Sequence, residues 1–306
     1  MFDKICIGLG LIMLAGCTPP AAYPSLVAEP ITLSDARAEG AALAQSCEGR
    51  DGWSDAAPPA RIFGNTYYVG TCGISVLLVT SSQGHVLIDG ATDEAAPSIL
   101  ANIRTLGFDP RDVRFIVGSH EHVDHMGGFA ALKAATGAEV RVRAPAGAVV
   151  KSGRTAADDP QAGLIPNMRP VTVGRVLREN EIFGFGTIAM SSYPTPGHTS
   201  GGTSWTWRSC EGTKCVNFAY VDSLTAVSAD GYRFTDHPER VAPFRATFDR
   251  VAAMPCDVLV TPHPDFSNLF GRLSGAAPLV DGNACRNLVG AMRARLDARL
   301  AKERVQ

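Results

Sequence analysis

Residues 120–125 read His-Glu-His-Val-Asp-His, which places three of the chain's seven histidines and two carboxylates in six positions. Imidazole and carboxylate together make a borderline-metal donor set, and zinc suits it best. A lone histidine on an apolar face is ordinarily a packed core or surface residue. Three within six positions, with an aspartate among them, would be costly packing without a cation to bind. Four donors from one turn rarely converge on a single ion, so the cluster is expected to divide between two ions. Each ion then needs a ligand from elsewhere in the chain. His198, in Pro-Thr-Pro-Gly-His, and His263, in Val-Thr-Pro-His-Pro, both follow an apolar strand, as the cluster does. His85 and His237 read as structural or solvent-facing.

The elements that must position these residues are legible on both sides of the cluster. Short β-branched and aromatic runs broken by Gly, Ser and Gln ("NTYYVG", "ISVLLVTS", "HVLIDGA") predict a strand meander. "DEAAPSILANIRTLG" has apolar residues at helical spacing and predicts a helix stopping at Gly107. "VRFIVGS" is a buried-type strand that delivers the chain into the cluster, at the strand end where α/β architectures place ligands. "GGFAALKAATG" and "EVRVRAP" predict a helix and a strand. Residues 151–170 show little periodicity and read as a long loop, a length often tied to function. A second series follows: strands in "TIAMSSYPTPGH", "GTSWTWRS" and "CVNFAYVDS", a helix in "HPERVAPFRATFDRVAAM", a strand in "DVLVTPH", and a C-terminal helix from about Asn283. Each half runs strands first and helices after, which predicts two sheets face to face with helices outside, as one domain.

Composition bounds the rest. With 306 residues, a net charge of −2 and 45% hydrophobic residues, the chain reads as an ordinary globular protein with no basic excess for nucleic acid. Apolar runs fall short of the roughly 18–20 residues that span a bilayer. The N-terminal "MFDKICIGLGLIMLAGC" is a short apolar segment ending in small residues, an export signal over residues 1–16. Its Leu-Ala-Gly-Cys ending resembles a bacterial lipobox, which implies lipidation of Cys17; cleavage after Ala21-Ala22 is the alternative. Residues 17–60 then read as a lipidated tether and loosely docked arm, and 61–306 as the domain. Export to an oxidising compartment turns the remaining cysteines into disulfide candidates. Nearest-neighbour closure pairs Cys47 with Cys72, Cys210 with Cys215, and Cys256 with Cys285. A zinc–thiolate site would want a Cys-x-x-Cys pair, and the sequence has none.

The His-x-His-x-Asp-His run resembles the signature of the metallo-β-lactamase superfamily. With "PTPGHTSGGTSWTW", "YVDSLTAVSADGYRFTDHP" and "TPHP", the resemblance over Arg61 to the C-terminus narrows to the third subclass of class B β-lactamases, subclass B3. It implies an α/β (α+β) four-layer αβ/βα sandwich, the metallo-β-lactamase fold. It implies one zinc on His120, His122 and His198 and a second on Asp124, His125 and His263, two Zn2+ per chain. The implied reaction is hydrolysis of the β-lactam amide by a zinc-bound hydroxide, with Asp124 orienting the water. Ser223 and Thr225 would hold the substrate carboxylate, and Gln161, in the long loop, would hydrogen-bond the substrate. Read one residue over, Asp222 would bridge the ions as in a lactonase. A dizinc lactonase or thioesterase and a periplasmic zinc-binding lipoprotein are the competing readings. A serine β-lactamase would need Ser-x-x-Lys, and no lysine has a serine three residues before it. The expected partner is a small β-lactam, the expected state a monomer, and the expected compartment the bacterial periplasm.

Overall fold

A computed structural model describes residues 33–305. The expected leader, Cys17 and most of the tether lie outside the described residues.

Strand alternation decides the architecture, because successive side chains point to opposite faces. Seven strands form one sheet in sequence order: β1 (Ala60–Phe63), β2 (Thr66–Tyr68), β3 (Leu77–Ser81), β4 (Gly84–Ile88), β5 (Val113–Val117), β6 (Glu139–Arg143) and β7 (Arg175–Leu177). Its first four strands are antiparallel and β4 to β7 are parallel. Five more strands make the second sheet: β8 (Ile182–Phe185), β9 (Ile188–Pro194), β10 (Thr203–Glu211), β11 (Lys214–Tyr220) and β12 (Val258–Val260). Here β8 to β11 are antiparallel, and β12 runs parallel to β11.

One face of each sheet fills a shared core. Leu77, Val79, Val86 and Ile88 meet Trp205, Phe218, Tyr220 and Val258 there. The intervening residues point the other way. Leu78, Leu87 and Ile116 pack outward under α2 (Ala96–Thr105) and the helices that follow β5 and β6. α3 (Val123–Met126) is a single turn, α4 (Phe129–Thr136) supplies Phe129 and Leu132, and α5 (Ala144–Ser152) supplies Val149 and Val150. On the far side Ala219, Val221 and Leu259 pack under Phe244 and Phe248 of α6 (Pro238–Ala252). α7 (Leu269–Leu273) leads to α8 (Ala284–Glu303), which adds Leu288, Met292 and Leu296 to that layer. The result is the expected sandwich, helix–sheet–sheet–helix. No helix among the described residues is long and apolar enough to cross a membrane.

The expected helix stop at Gly107 holds, with a left-handed φ of 84° that glycine adopts at no steric cost. Two expectations need correction. The arm before Arg61 contains a helix, α1 (Leu33–Ser46), which packs on β1 and α7 through fully buried Leu43. It is therefore an integral part of the fold rather than a loosely docked segment. The stretch after β6 likewise forms a helix to Ser152, with Pro145 in its first turn, where proline's missing N–H costs nothing. The three expected disulfides are present: Cys47–Cys72, Cys210–Cys215 and Cys256–Cys285. The second crosses the β10–β11 hairpin at directly paired positions.

Candidate metal centre

Four strand ends build the site. β5 leads through Gly118 and Ser119 to His120; His122 precedes the single turn 123–126, which carries Asp124 and His125. β9 ends at Pro194 and leads to His198, while β12 ends at Val260 and leads to His263. β11 leads to Asp222, Ser223 and Thr225. The parallel and antiparallel pairings put the C-terminal ends of β9, β11 and β12 on one edge of their sheet. Trp205 Nε1 donates to Gly118 O at 3.0 Å and ties that sheet to the turn of the other.

The predicted donors converge. Donor atoms of His120, His122 and His198 lie within 4.8 Å of one another, as do those of His120, Asp124 and His125. His263 joins from the side, its Nε2 3.4 Å from Asp124 Oδ2 and its ring centroid 5.0 Å from that of His125.

Four of the five imidazoles anchor one nitrogen outward. His120 Nδ1 is 2.8 Å from Asp222 Oδ1, and His122 Nε2 is 2.9 Å from Asp159 Oδ2. His198 Nδ1 donates to Thr225 O at 2.9 Å and His263 Nδ1 to Gly73 O at 3.2 Å. His125 Nδ1 faces Asp89 Oδ2 at 3.5 Å. With protons on those four anchored nitrogens, the other nitrogen of each of these rings faces the centre bare. His120 Nε2 is buried and finds no hydrogen-bond partner among the described residues, while His125 Nε2 lies 3.1 Å from Asp124 Oδ2. An orphaned acceptor such as His120 Nε2 is rare in a folded interior, and outward anchoring is how proteins fix the tautomer of a metal-binding histidine. The donor set fits zinc.

Electrostatics agrees. Burial, then the neighbouring imidazoles, holds His120 well below its ordinary value. Burial likewise brings His198 to about 3 and His263 to about 4, so both are neutral at working pH. Burial alone would lower His125, but the Asp124 and Asp89 carboxylates outweigh it and lift that ring to about 10. Burial works against ionisation of Asp124, yet His125 and His263 hold it well below the usual carboxylate range.

The donors floor a cavity of about 330 Å³ that Gln161, Ser223 and Thr225 also line. Gln161 is buried, not on the surface, with Nε2 3.4 Å from His198 Nε2. Thr225 presents its hydroxyl 3.3 Å from His198 Nδ1. Asp222 stands behind His120, opposite the centre from which Ser223 opens into the cavity. Trp53, Val227 and Phe266, each more than two-fifths exposed, give the mouth an apolar edge. His85 is buried edge-on to Phe108, and His237 stacks on Tyr232 at the surface; neither reaches the centre.

Sequence reasoning missed the anchors Asp89 and Asp159. Asp89 sits fully buried at a left-handed φ of 63°, a conformation that costs free energy and persists where surroundings enforce it. It accepts from Ser119 N, Ser119 Oγ and Tyr220 Oη at 2.6–2.7 Å. Its position, directly after β4 and before a glycine, is the one signal the sequence offers.

Comparison with known proteins bears on the same residues. A family profile, the Metallo-beta-lactamase superfamily, matches residues 69–211. The crystal structure of the metallo-β-lactamase MIM-1 from Novosphingobium pentaromativorans is 53% identical, with a TM-score of 0.84 over 86% of this chain and 97% of that one. The chain belongs to the metallo-β-lactamase superfamily. MEM-A1, a subclass B3 metallo-β-lactamase from a soil metagenome library, is 40% identical, with a TM-score of 0.80 over 83% of this chain and 99% of that one. A shorter likeness, 31% over 85 residues, links this metallo-β-lactamase-fold chain to the N-acyl homoserine lactonase AttM of Azorhizobium caulinodans. It covers 21% of this chain and 32% of that protein.

Proposed function

We propose that this chain hydrolyses the amide bond of β-lactams, with two zinc ions, and so confers resistance to penicillins, cephalosporins and carbapenems. One observation carries the reading: four imidazoles from three chain segments each fix one nitrogen outward and turn the other toward a shared centre, where His125 and Asp124 join them. His120, His122 and His198 would hold the first ion, and Asp124, His125 and His263 the second. Zinc bound there supplies a Lewis acid and a water acidified toward neutral pH.

The chain's own residues do the positioning. Asp124, ionised and set between His125 and His263, accepts a hydrogen bond from the attacking water and aims it at the lactam carbonyl. Ser223 and Thr225 donate hydroxyl hydrogen bonds to the substrate carboxylate. Gln161 donates its amide N–H to the substrate on the His198 side. The apolar mouth at Trp53, Val227 and Phe266 excludes water from the bound ring.

The short likeness to a lactonase supports a second reading, a dizinc lactone hydrolase. Against it, Asp222 spends Oδ1 on His120 instead of facing the space between the two donor groups. A zinc-storing lipoprotein would need neither the hydroxyls nor the cavity. Hydrolysis of a carbapenem, a homoserine lactone and a glutathione thioester by one preparation separates these readings: turnover of the carbapenem alone is expected, and turnover of the lactone alone would replace the proposal. We further propose a monomer in the bacterial periplasm, anchored to the outer membrane through lipidated Cys17.

A further inference from the structure

Glu121 lies inside the histidine run, yet it is 3% exposed and its carboxylate points away from the metal centre. Both of its oxygens are spent on the turn after His198. Oε2 accepts from Thr199 Oγ1 at 2.9 Å, and Oε1 accepts from Gly201 N at 2.8 Å. These bonds join segments 78 and 80 residues apart in the chain. Gly201 is shaped for the contact: a Cβ there would stand 2.4 Å from Glu121 Oε2 and 2.6 Å from Ala146 N. Arg143 Nη1 holds the next carbonyl, Gly202 O, at 2.7 Å.

The consequence is geometric. Glu121 is covalently between His120 and His122, while Thr199 and Gly201 follow His198 directly. One carboxylate therefore locks together the two segments that supply all three nitrogens of the first donor group. We propose that Glu121 is a positioning residue, a staple that sets the spacing of His120, His122 and His198 for a single cation. The assignment rests on the reading of that group as a metal site.

The staple works through shape, not charge. A glutamine reproduces both bonds, its Oε1 accepting from Gly201 N and its amide donating to the Thr199 hydroxyl, whereas an alanine makes neither. The test is zinc affinity of the full exported protein, measured by competition with a chromophoric chelator, with circular dichroism checking the fold. Glu121→Gln should bind zinc close to wild type. Glu121→Ala should lose about ten- to a hundredfold in affinity for one zinc equivalent, the range typical of outer-sphere partners. Should Glu121→Ala not fold, Thr199→Val removes one bond without changing shape and should weaken binding about fivefold. Wild-type affinity in a folded Glu121→Ala, or in Thr199→Val where the alanine variant does not fold, overturns the staple. So does a Glu121→Gln defect as deep as the alanine one, which would make the charge the active quantity. Wild-type protein that binds no zinc would instead overturn the metal-site reading beneath it.

Discussion

His198 and His263 reach the centre from separate strands, so deleting either ring removes a donor without touching the core between the sheets. His198→Ala and His263→Ala should each lower lactam turnover by more than about a hundredfold, beyond the loss typical of outer-sphere changes, with unchanged circular dichroism. Full activity with two bound zincs would remove the assignment. Ser223→Ala and Thr225→Val should act differently, raising KM roughly fivefold each while kcat changes little, because a hydroxyl on the carboxylate binds ground and transition states alike. A drop in kcat with constant KM would place these hydroxyls in the chemistry instead. His125, which burial alone would lower but Asp124 and Asp89 lift to about 10, is protonated at neutral pH in chelated protein. A cation needs the neutral ring, so zinc uptake at pH 7 should release one proton from it, and affinity should climb as pH rises toward about 10. His198 and His263, already neutral above about 3 and about 4, should release none there. Calorimetry in buffers of different ionisation enthalpy counts the protons, and no release would contradict the assignment. The donors were legible because three histidines in six positions have few other uses. Their anchors were not: of the adjacent Asp158 and Asp159, one pairs with Arg240 and the other with His122, and nothing in the local sequence distinguishes them.

Elements hold these side chains through strand ends, and a disulfide fixes the far end of one such strand. Cys256 precedes β12, which leads to His263, and its partner Cys285 opens α8. Replacing both with serine should lower stability by about 3 kcal/mol through loop entropy, with activity retained at 25 °C where the fold survives. Denaturant titration measures it; a change below about 0.5 kcal/mol, the size of an ordinary surface substitution, would show the bond to be idle. Strands were the most readable elements, since their two faces meet different cores and Leu77, Leu78 and Val79 alternate accordingly. Helices α1 and α5 were the least. Leu33–Ser46 is alanine-rich, with Leu43 a large fully buried anchor, and Ala144–Ser152 contains both proline and glycine. In both, tertiary packing supplies what local pattern lacks.

At the scale of the molecule, a net charge of −2 and a cavity of about 330 Å³ with a polar floor and apolar rim suit a small amphipathic substrate. The sandwich was legible because each half of the sequence repeats strands before helices. Substrate preference was not, since it depends on how Gln161 and the loop around it fold back over the donors. Mass spectrometry of the mature N-terminus tests the anchor: a lipid-modified chain beginning at Cys17 is expected, and an unmodified chain starting beyond it would contradict the proposal. The claim on which all of this depends is that bound zinc makes this protein a β-lactam hydrolase. The direct measurement is hydrolysis of a chromogenic cephalosporin and a carbapenem before chelation, after it, and after zinc is restored. Turnover of both that disappears with the metal and returns with it is expected; lactams left intact by fully zinc-loaded protein, or cleaved as fast without zinc, would contradict it.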